Sequence, residues 1–264
     1  MASNKEFRGA RAQIWFNLLK MDLLILAAGD GTRLGAAAQG LPKPLVPVAG
    51  KPVIESVVSA LPKELGFNRR AVITNSQFAP QFHGWAEGRN FEVIDDRSSN
   101  RYDRLGGIGD IGFAIREAGL GKSGGVLVAG GDMVFTDVQT DFVNQAREVS
   151  LATALYDVGS LDQVRRFAEV ETDEHARVIR YQEKPTQPRS CLASIMLYWI
   201  SAECIDLVQR YLDEGRNPDQ CGRFLEWALG YATLSGFPVA GTWFDIGDPE
   251  ALSEANQFLR NRTD

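Results

Sequence analysis

The stretch Asp22-Leu23-Leu24-Ile25-Leu26-Ala27-Ala28-Gly29-Asp30-Gly31-Thr32-Arg33-Leu34 decides the fold. Its opening run is short and nearly all apolar, the pattern of a strand covered on both faces rather than of a solvated helix. The run stops at Gly29 and Gly31, followed by a hydroxyl and a guanidinium. Glycines let a backbone close on an anion and turn its N–H groups inward, while Arg33 and Lys43 add positive charge. This turn is therefore a candidate phosphate cradle. A dinucleotide fingerprint needs a third glycine where Leu34 stands, and a P-loop would end in Gly-Lys-Ser/Thr rather than Thr-Arg-Leu.

Outward from that strand, strand and helix patterns alternate. Pro52 through Leu65 has helical spacing, Arg70–Thr74 reads as a strand, 77–87 as a helix and Phe91–Ile94 as a strand. A helix at Gly107–Ala118, a strand at Gly125–Ala129, a helix at 139–148 and a strand at 151–158 continue the series. Such alternation marks βαβ units on a parallel sheet. Beyond about residue 165 the rhythm changes: Phe167–Glu171 and Val178–Gln182 resemble a hairpin, and Ser194–Ile200 is another strand. Helices near 202–213 and 221–231, a last strand from Pro238 to Asp245 and a terminal helix at 249–260 complete the chain. The expectation is an α/β fold with a mixed, mostly parallel central sheet, built as one domain over 21–264. Residues 1–20 are read as an N-terminal extension without fixed structure, with a docking helix as the alternative.

Bulk properties narrow the function. The 264 residues carry a formal net charge of −6, whereas nucleic-acid and membrane-surface proteins need a basic face. No nucleic acid and no membrane is expected as a partner. No apolar run approaches the roughly 18 residues of a membrane span, and a cytoplasmic location is the default. Cys191, Cys204 and Cys221 show no paired spacing, so free thiols are expected. His83 and His175 are the only histidines, which leaves little room for a histidine triad or a multi-histidine metal centre.

Two aspartates and a tripeptide stand out further along. Asp132 closes Gly130-Gly131-Asp132 directly after the fourth strand, at the sheet edge where open α/β folds bind ligands. Magnesium takes one or two carboxylates plus phosphates and waters, and Asp245, in Trp243-Phe244-Asp245-Ile246-Gly247, is the candidate second carboxylate. Asp248, ahead of Pro249, reads as a helix cap. Glu183-Lys184-Pro185 alone would be an exposed charged pair before a turn.

Together, Ala28-Gly29-x-Gly31-Thr32-Arg33-Leu34 and Pro42-Lys43-Pro44-Leu45-x-Pro47-Val48-x-Gly50-Lys51-Pro52 resemble the signature of the sugar-phosphate nucleotidyltransferases, the sugar nucleotide pyrophosphorylases that include glucose-1-phosphate thymidylyltransferases. The resemblance implies a Rossmann-like three-layer α/β/α fold of the nucleotide-diphospho-sugar transferase type. It implies Mg²⁺-dependent transfer of a nucleoside monophosphate from an NTP to a phosphorylated acceptor, a sugar 1-phosphate, with release of pyrophosphate. By the same resemblance Leu26, Ala27, Ala28, Gly29, Gly31, Thr32, Arg33 and Gly106 hold the nucleotide. Arg33, Lys43 and Lys184 are the catalytic cations, Asp132 and Asp245 hold the metal, and Glu183, Lys184 and Ser194 hold the acceptor. A homodimer is compatible with it.

The sequence departs from that pattern in places. Met133 stands where many members carry Asn, and Ile195 where many have Gly beside the sugar. Arg101-Tyr102-Asp103-Arg104 and Ile108-Gly109-Asp110 differ from the thymidylyl- and uridylyltransferase patterns. The base is therefore open, and two other readings stand beside the first: a cytidylyltransferase for a non-sugar phosphate or phosphonate, and a non-catalytic nucleotide- or sugar-phosphate-binding regulator.

Overall fold

The computed structural model describes residues 21–29, 31–64, 66–100 and 102–263; the 1–20 extension lies outside them. In chain order the elements are β1 (Asp22–Leu26), β2 (Pro47–Val48), β3 (Lys51–Pro52), α1 (Val53–Ala60), β4 (Arg70–Thr74), α2 (Ala79–Ala86), β5 (Glu92–Asp95), α3 (Gly107–Ala118), β6 (Val126–Gly130) and β7 (Met133–Phe135). They continue with α4 (Thr140–Ala146), β8 (Leu151–Asp157), α5 (Leu161–Val164), β9 (Ala168–Thr172), β10 (Val178–Glu183), β11 (Leu192–Ile200), α6 (Asp206–Asp213), α7 (Cys221–Ala228), β12 (Leu234–Pro238), β13 (Trp243–Asp245) and α8 (Pro249–Thr263).

β1 sits centrally between β4 and β6 and runs parallel to both, with Leu24 opposite Ala71 on one side and Val128 on the other. The nine-stranded sheet runs β10-β9-β11-β6-β1-β4-β5, with β8 on the other edge of β11 and β12 beyond it. Following the pairings, seven strands point one way, and only β10 and β11 run against them. The sheet is mixed and mostly parallel, as the strand–helix alternation requires.

Side chains alternate across it. Leu24, Ile73 and Val128 meet Ile111 of α3, Val208 of α6 and Leu225 of α7 on one face. Leu23, Ile25 and Leu127 meet Ile54 of α1, Phe82 of α2 and Phe142 of α4 on the other. A strand with buried side chains on both faces has no solvated register, so β1 reads as a continuous apolar run.

Two departures from the sequence reading have local causes. The helix expected over 52–65 stops at Ala60, because Leu61 precedes Pro62 and is extended (φ −88°, ψ 134°); Leu65 lies outside the described residues. The strand expected from Pro238 to Asp245 is two strands. β12 adds to the main sheet beside β8, Gly241 turns the chain at φ +70°, and β13 pairs instead with β7 in a separate ribbon. The one Gly-Lys-Ser tripeptide, at 121–123, belongs to the turn ahead of β6, where the Gly121 N–H donates to Asp22 at the start of β1. That is the amino edge of the sheet, away from the cradle. Among the described residues no helix is long and apolar enough to cross a membrane, and the three cysteines are free.

Candidate active site

The cradle is fixed from below by the neighbouring strand. The Ala27 N–H donates to the Ile73 carbonyl (2.8 Å), and the Asn75 side-chain amide donates to the Ala28 carbonyl (3.1 Å). Gly31 then turns at φ +61°, a conformation that favours glycine, and opens the short 3₁₀ segment Thr32–Ala38. Gly131 donates its N–H to the Leu26 carbonyl at 2.9 Å, and an added Cβ would stand equally close to that oxygen. The loop after β6 is thereby held against the end of β1. Leu26, Ala27, Gly29, Gly31, Thr32, Arg33, Lys43 and Asp132 line a cleft of about 220 Å³. Lys43 is buried at the start of a 3₁₀ turn, and its ammonium donates to Asp132 Oδ2 at 2.5 Å.

The β7–β13 ribbon brings the two aspartates together. Asp245 lies opposite Met133, and the Ile246 N–H donates to the Asp132 carbonyl at 3.0 Å. Burial, then the charge of Asp132, holds the Asp245 carboxyl above the ordinary carboxylate range, against the pull of Lys43, Arg166 and Arg33. Two carboxylates under mutual repulsion, with a lysine ammonium already on one of them, form a place where a further cation is favourable. The donors are oxygens, and among the described residues no group of three or more His, Cys, Asp or Glu is placed to hold a metal ion by itself. That set fits a hard divalent cation whose remaining ligands are phosphates and waters, and does not suit zinc.

On the far side of Asp132 opens a cavity of about 310 Å³ that includes Glu183, Lys184 and Ser194. Burial raises the Glu183 carboxyl, opposed by Lys184 and Arg223. Glu183 leans against α7, so close that a Cβ on Gly222 would stand 1.9 Å from Oε2. Lys184 has φ +48°, strained for a residue with a side chain, and its N–H donates to the Phe167 carbonyl at 2.8 Å. The Ser194 hydroxyl is engaged by Thr153 and by the Tyr181 hydroxyl, so it braces the wall from within. Met133 and Ile195 belong to the apolar core and also line this cavity, with Phe167 and Trp243.

A third cavity of about 210 Å³ lies between the cradle and α3, lined by Ala28, Gly29, Gly106 and Gly107 among others. Gly106 has φ +80°, and a Cβ there would collide with the Pro218 backbone at 2.8 Å. The Ile108 N–H donates to the Pro218 carbonyl at 2.7 Å, which fixes α3 to the loop before α7. Asp132 lines all three cavities.

The sequence reading did not select Arg166, Arg104, Asp96, Asp110 or Asp219 as site residues. Arg166 lines the Glu183–Lys184 cavity and lies 3.5 Å from Asp248, beside Gly247. Arg104 reaches Asp219 at 2.6 Å, and both line the cavity beside α3. None of them sits in a motif. Their only sequence signal was departure from pattern, at Arg101–Arg104 and Ile108–Asp110.

A glycine-bounded loop with Arg33 and Lys43, facing paired carboxylates at the carboxyl edge of a mostly parallel sheet, stands where open α/β folds bind ligands. The chain matches the Nucleotidyl transferase family model over residues 23–262, and it belongs to that family. It is 28% identical over 243 residues to the bifunctional protein GlmU of Methanococcus aeolicus, covering 90% of this chain and 54% of that protein. It is 25% identical over 257 residues to a glucose-1-phosphate adenylyltransferase of Bacillus cytotoxicus, covering 89% and 67%. The chain thus spans about half the length of the GlmU relatives. A Bacillus anthracis protein assigned as a glucose-1-phosphate thymidylyltransferase, crystallised with a sucrose, shares the fold with a TM-score of 0.75 at 22% identity, over 91% of this chain and 96% of that one.

Proposed function

We propose that this protein transfers a nucleoside monophosphate from an NTP to a sugar 1-phosphate and releases pyrophosphate, with Mg²⁺ held by Asp132 and Asp245. The observation that carries the reading is the convergence of three cavities on Asp132: the cradle, the α3 side and the Glu183–Lys184 side. One of the curated relatives is, by name, a glucose-1-phosphate adenylyltransferase.

The acceptor's phosphate oxygen attacks the α-phosphorus while pyrophosphate departs. A phosphate monoester has a second pKa near 6, so it is already an anionic nucleophile at neutral pH and no histidine base is needed. The barrier is the meeting of two polyanions, which calls for charge neutralisation and in-line positioning. Backbone N–H groups of Gly29 and Gly31, with Arg33 and Lys43, take the triphosphate and offset the charge on the leaving group. Lys184 and Arg166 approach the incoming phosphate, and Glu183 accepts from acceptor hydroxyls. Asp132 and Asp245 would hold the cation, which when bound would supply charge neutralisation for the reacting phosphates.

Met133, Ile195, Phe167 and Trp243 make part of the acceptor wall apolar, which favours a second reading with a less hydroxylated phosphate or phosphonate. The test is a pyrophosphate-release assay crossing five NTPs with hexose 1-phosphates, phosphoalcohols and phosphonates. Release with a sugar 1-phosphate is the expected result. Release with a phosphoalcohol or phosphonate alone selects the second reading. Nucleotide binding without turnover on any acceptor overturns both and leaves a binding protein.

A further inference from the structure

The nucleotide side holds two carboxyls that the phosphate chemistry does not use. Asp96, directly after β5, and Asp110, in the first turn of α3, are 3% and 5% exposed, and both line the cavity that runs from Gly29 to Gly106. Asp96 Oδ1 accepts from the Ser98 N–H and hydroxyl, each at 2.7 Å. Among the described residues Asp96 Oδ2 and Asp110 Oδ1 find no N–H or hydroxyl donor, and beyond Ser98 the two carboxyls hydrogen-bond to each other, although buried polar atoms are nearly always paired.

Among the described residues Arg104 is the cation acting on Asp110. Asp95 and Asp219 add negative charge, and Arg104 is engaged with Asp219 at 2.6 Å. Buried first, and facing Asp96 second, the Asp110 carboxyl is pushed up to about 8, while burial also raises Asp96. Any proton the pair shares is taken up by their mutual hydrogen bond, so toward a ligand the pair offers acceptor oxygens.

The shape of the cavity suits a flat ring. Gly106 and Gly107 present bare backbone, since a Cβ on the first would meet Pro218 and on the second the Cys221 sulfur at 2.5 Å. Gly29 opens the cavity directly onto the phosphate cradle. A triphosphate held by the cradle thus places its base between Ala28 and Gly106, with one edge toward the two aspartates.

Uracil and thymine present one ring N–H between two carbonyl oxygens. Against this acid pair those oxygens would face acceptor oxygens, at the cost of unpaired buried groups. Adenine, cytosine and guanine each offer an exocyclic amino donor to a carboxyl oxygen. We propose that Asp96 and Asp110 read the base edge, selecting a nucleotide that carries an exocyclic amine and rejecting uracil and thymine. This inference rests on the nucleotidyl-transfer reading of the cradle.

The test is calorimetric titration of the full chain at pH 7 with Mg²⁺, using ATP, GTP, CTP, UTP, dTTP and inorganic tripolyphosphate. One amino-bearing nucleotide should bind at least about tenfold tighter than UTP and dTTP, the scale of losing one buried hydrogen bond. The paired change Asp96→Asn with Asp110→Asn turns acceptors into amide donors, so it should erase or reverse that ratio, with folding checked by circular dichroism. If UTP or dTTP binds as tightly as the best amino-bearing nucleotide, the proposal is overturned on the wild-type protein alone. A folded variant that keeps the original ranking overturns it too. Equal binding of all nucleotides and tripolyphosphate removes only the base reading. No binding of any of them removes the cradle reading and this proposal with it.

Discussion

The two sides of Asp132 are built in opposite ways. On the triphosphate side, Leu26 to Lys43 is a single run of chain whose backbone conformation makes most of the site. On the acceptor side, Arg166–Phe167, Glu183–Lys184, Ser194–Met196, Asp219–Gly222 and Trp243–Asp245 arrive from five separated segments. A contiguous site is set by local turn chemistry and tolerates little substitution. A dispersed site is set by tertiary packing, so its chemistry can change one wall at a time.

Asp132 belongs to both sides, and its loss should be the most severe. Asp132→Asn should lower kcat for pyrophosphate release by about 10²–10³, as for other preorganised charged groups, with both substrates saturating. A change in KM for one substrate alone would mean that the two sides are not joined there.

The next effect concerns stability at the nucleotide end. Unfolded, Asp110 ionises near the ordinary aspartate value of about 3.9; folded, it does so at about 8. Between those values the native state keeps a proton that the unfolded chain has released, so rising pH favours unfolding. The melting temperature of the apoprotein should fall from about pH 5 to pH 8, by the equivalent of a few kcal/mol at most, and level off above. Asp110→Asn should flatten that slope, and an unchanged slope in the variant would place the titration elsewhere.

The smallest expected effect separates the sides most sharply. Gly222→Ala should favour the α7 helix by propensity, yet its methyl group would press on Glu183. A displacement of this kind should raise the acceptor KM roughly tenfold while NTP affinity, followed by titration, stays unchanged. A matching loss of NTP affinity would erase the distinction between a local and a dispersed site.

That distinction also explains what the sequence made legible. β1, β4 and β6 declared themselves by apolar runs, and the cradle by its glycines and cations, because each is local. The Asp132–Asp245 pairing needed the resemblance, since the β7–β13 ribbon has three residues per strand and no usable period. For the same reason 238–245 read as one strand. Arg166 was invisible because it enters the site only through the packing of the loop ahead of β9. Asp96 and Asp110 sit 14 residues apart in unlike patterns, and only the fold puts them in one cavity. Ser194 lines the Glu183–Lys184 cavity with its hydroxyl bound by Thr153 and Tyr181, a pairing that no local pattern announces.

The loop before α7 has a consequence for the divergence of such chains. Pro218 and Asp219 press against Gly106 on one side, while Asp219 to Gly222 face Glu183 on the other. On the proposed function, one short segment is a party wall between two substrates. A lineage that takes up a new acceptor by altering this loop disturbs its grip on the nucleotide in the same step. Innovation in acceptor is therefore expected to accumulate on the opposite wall, at Phe167, Ile195 and Trp243, where a change answers to one ligand only.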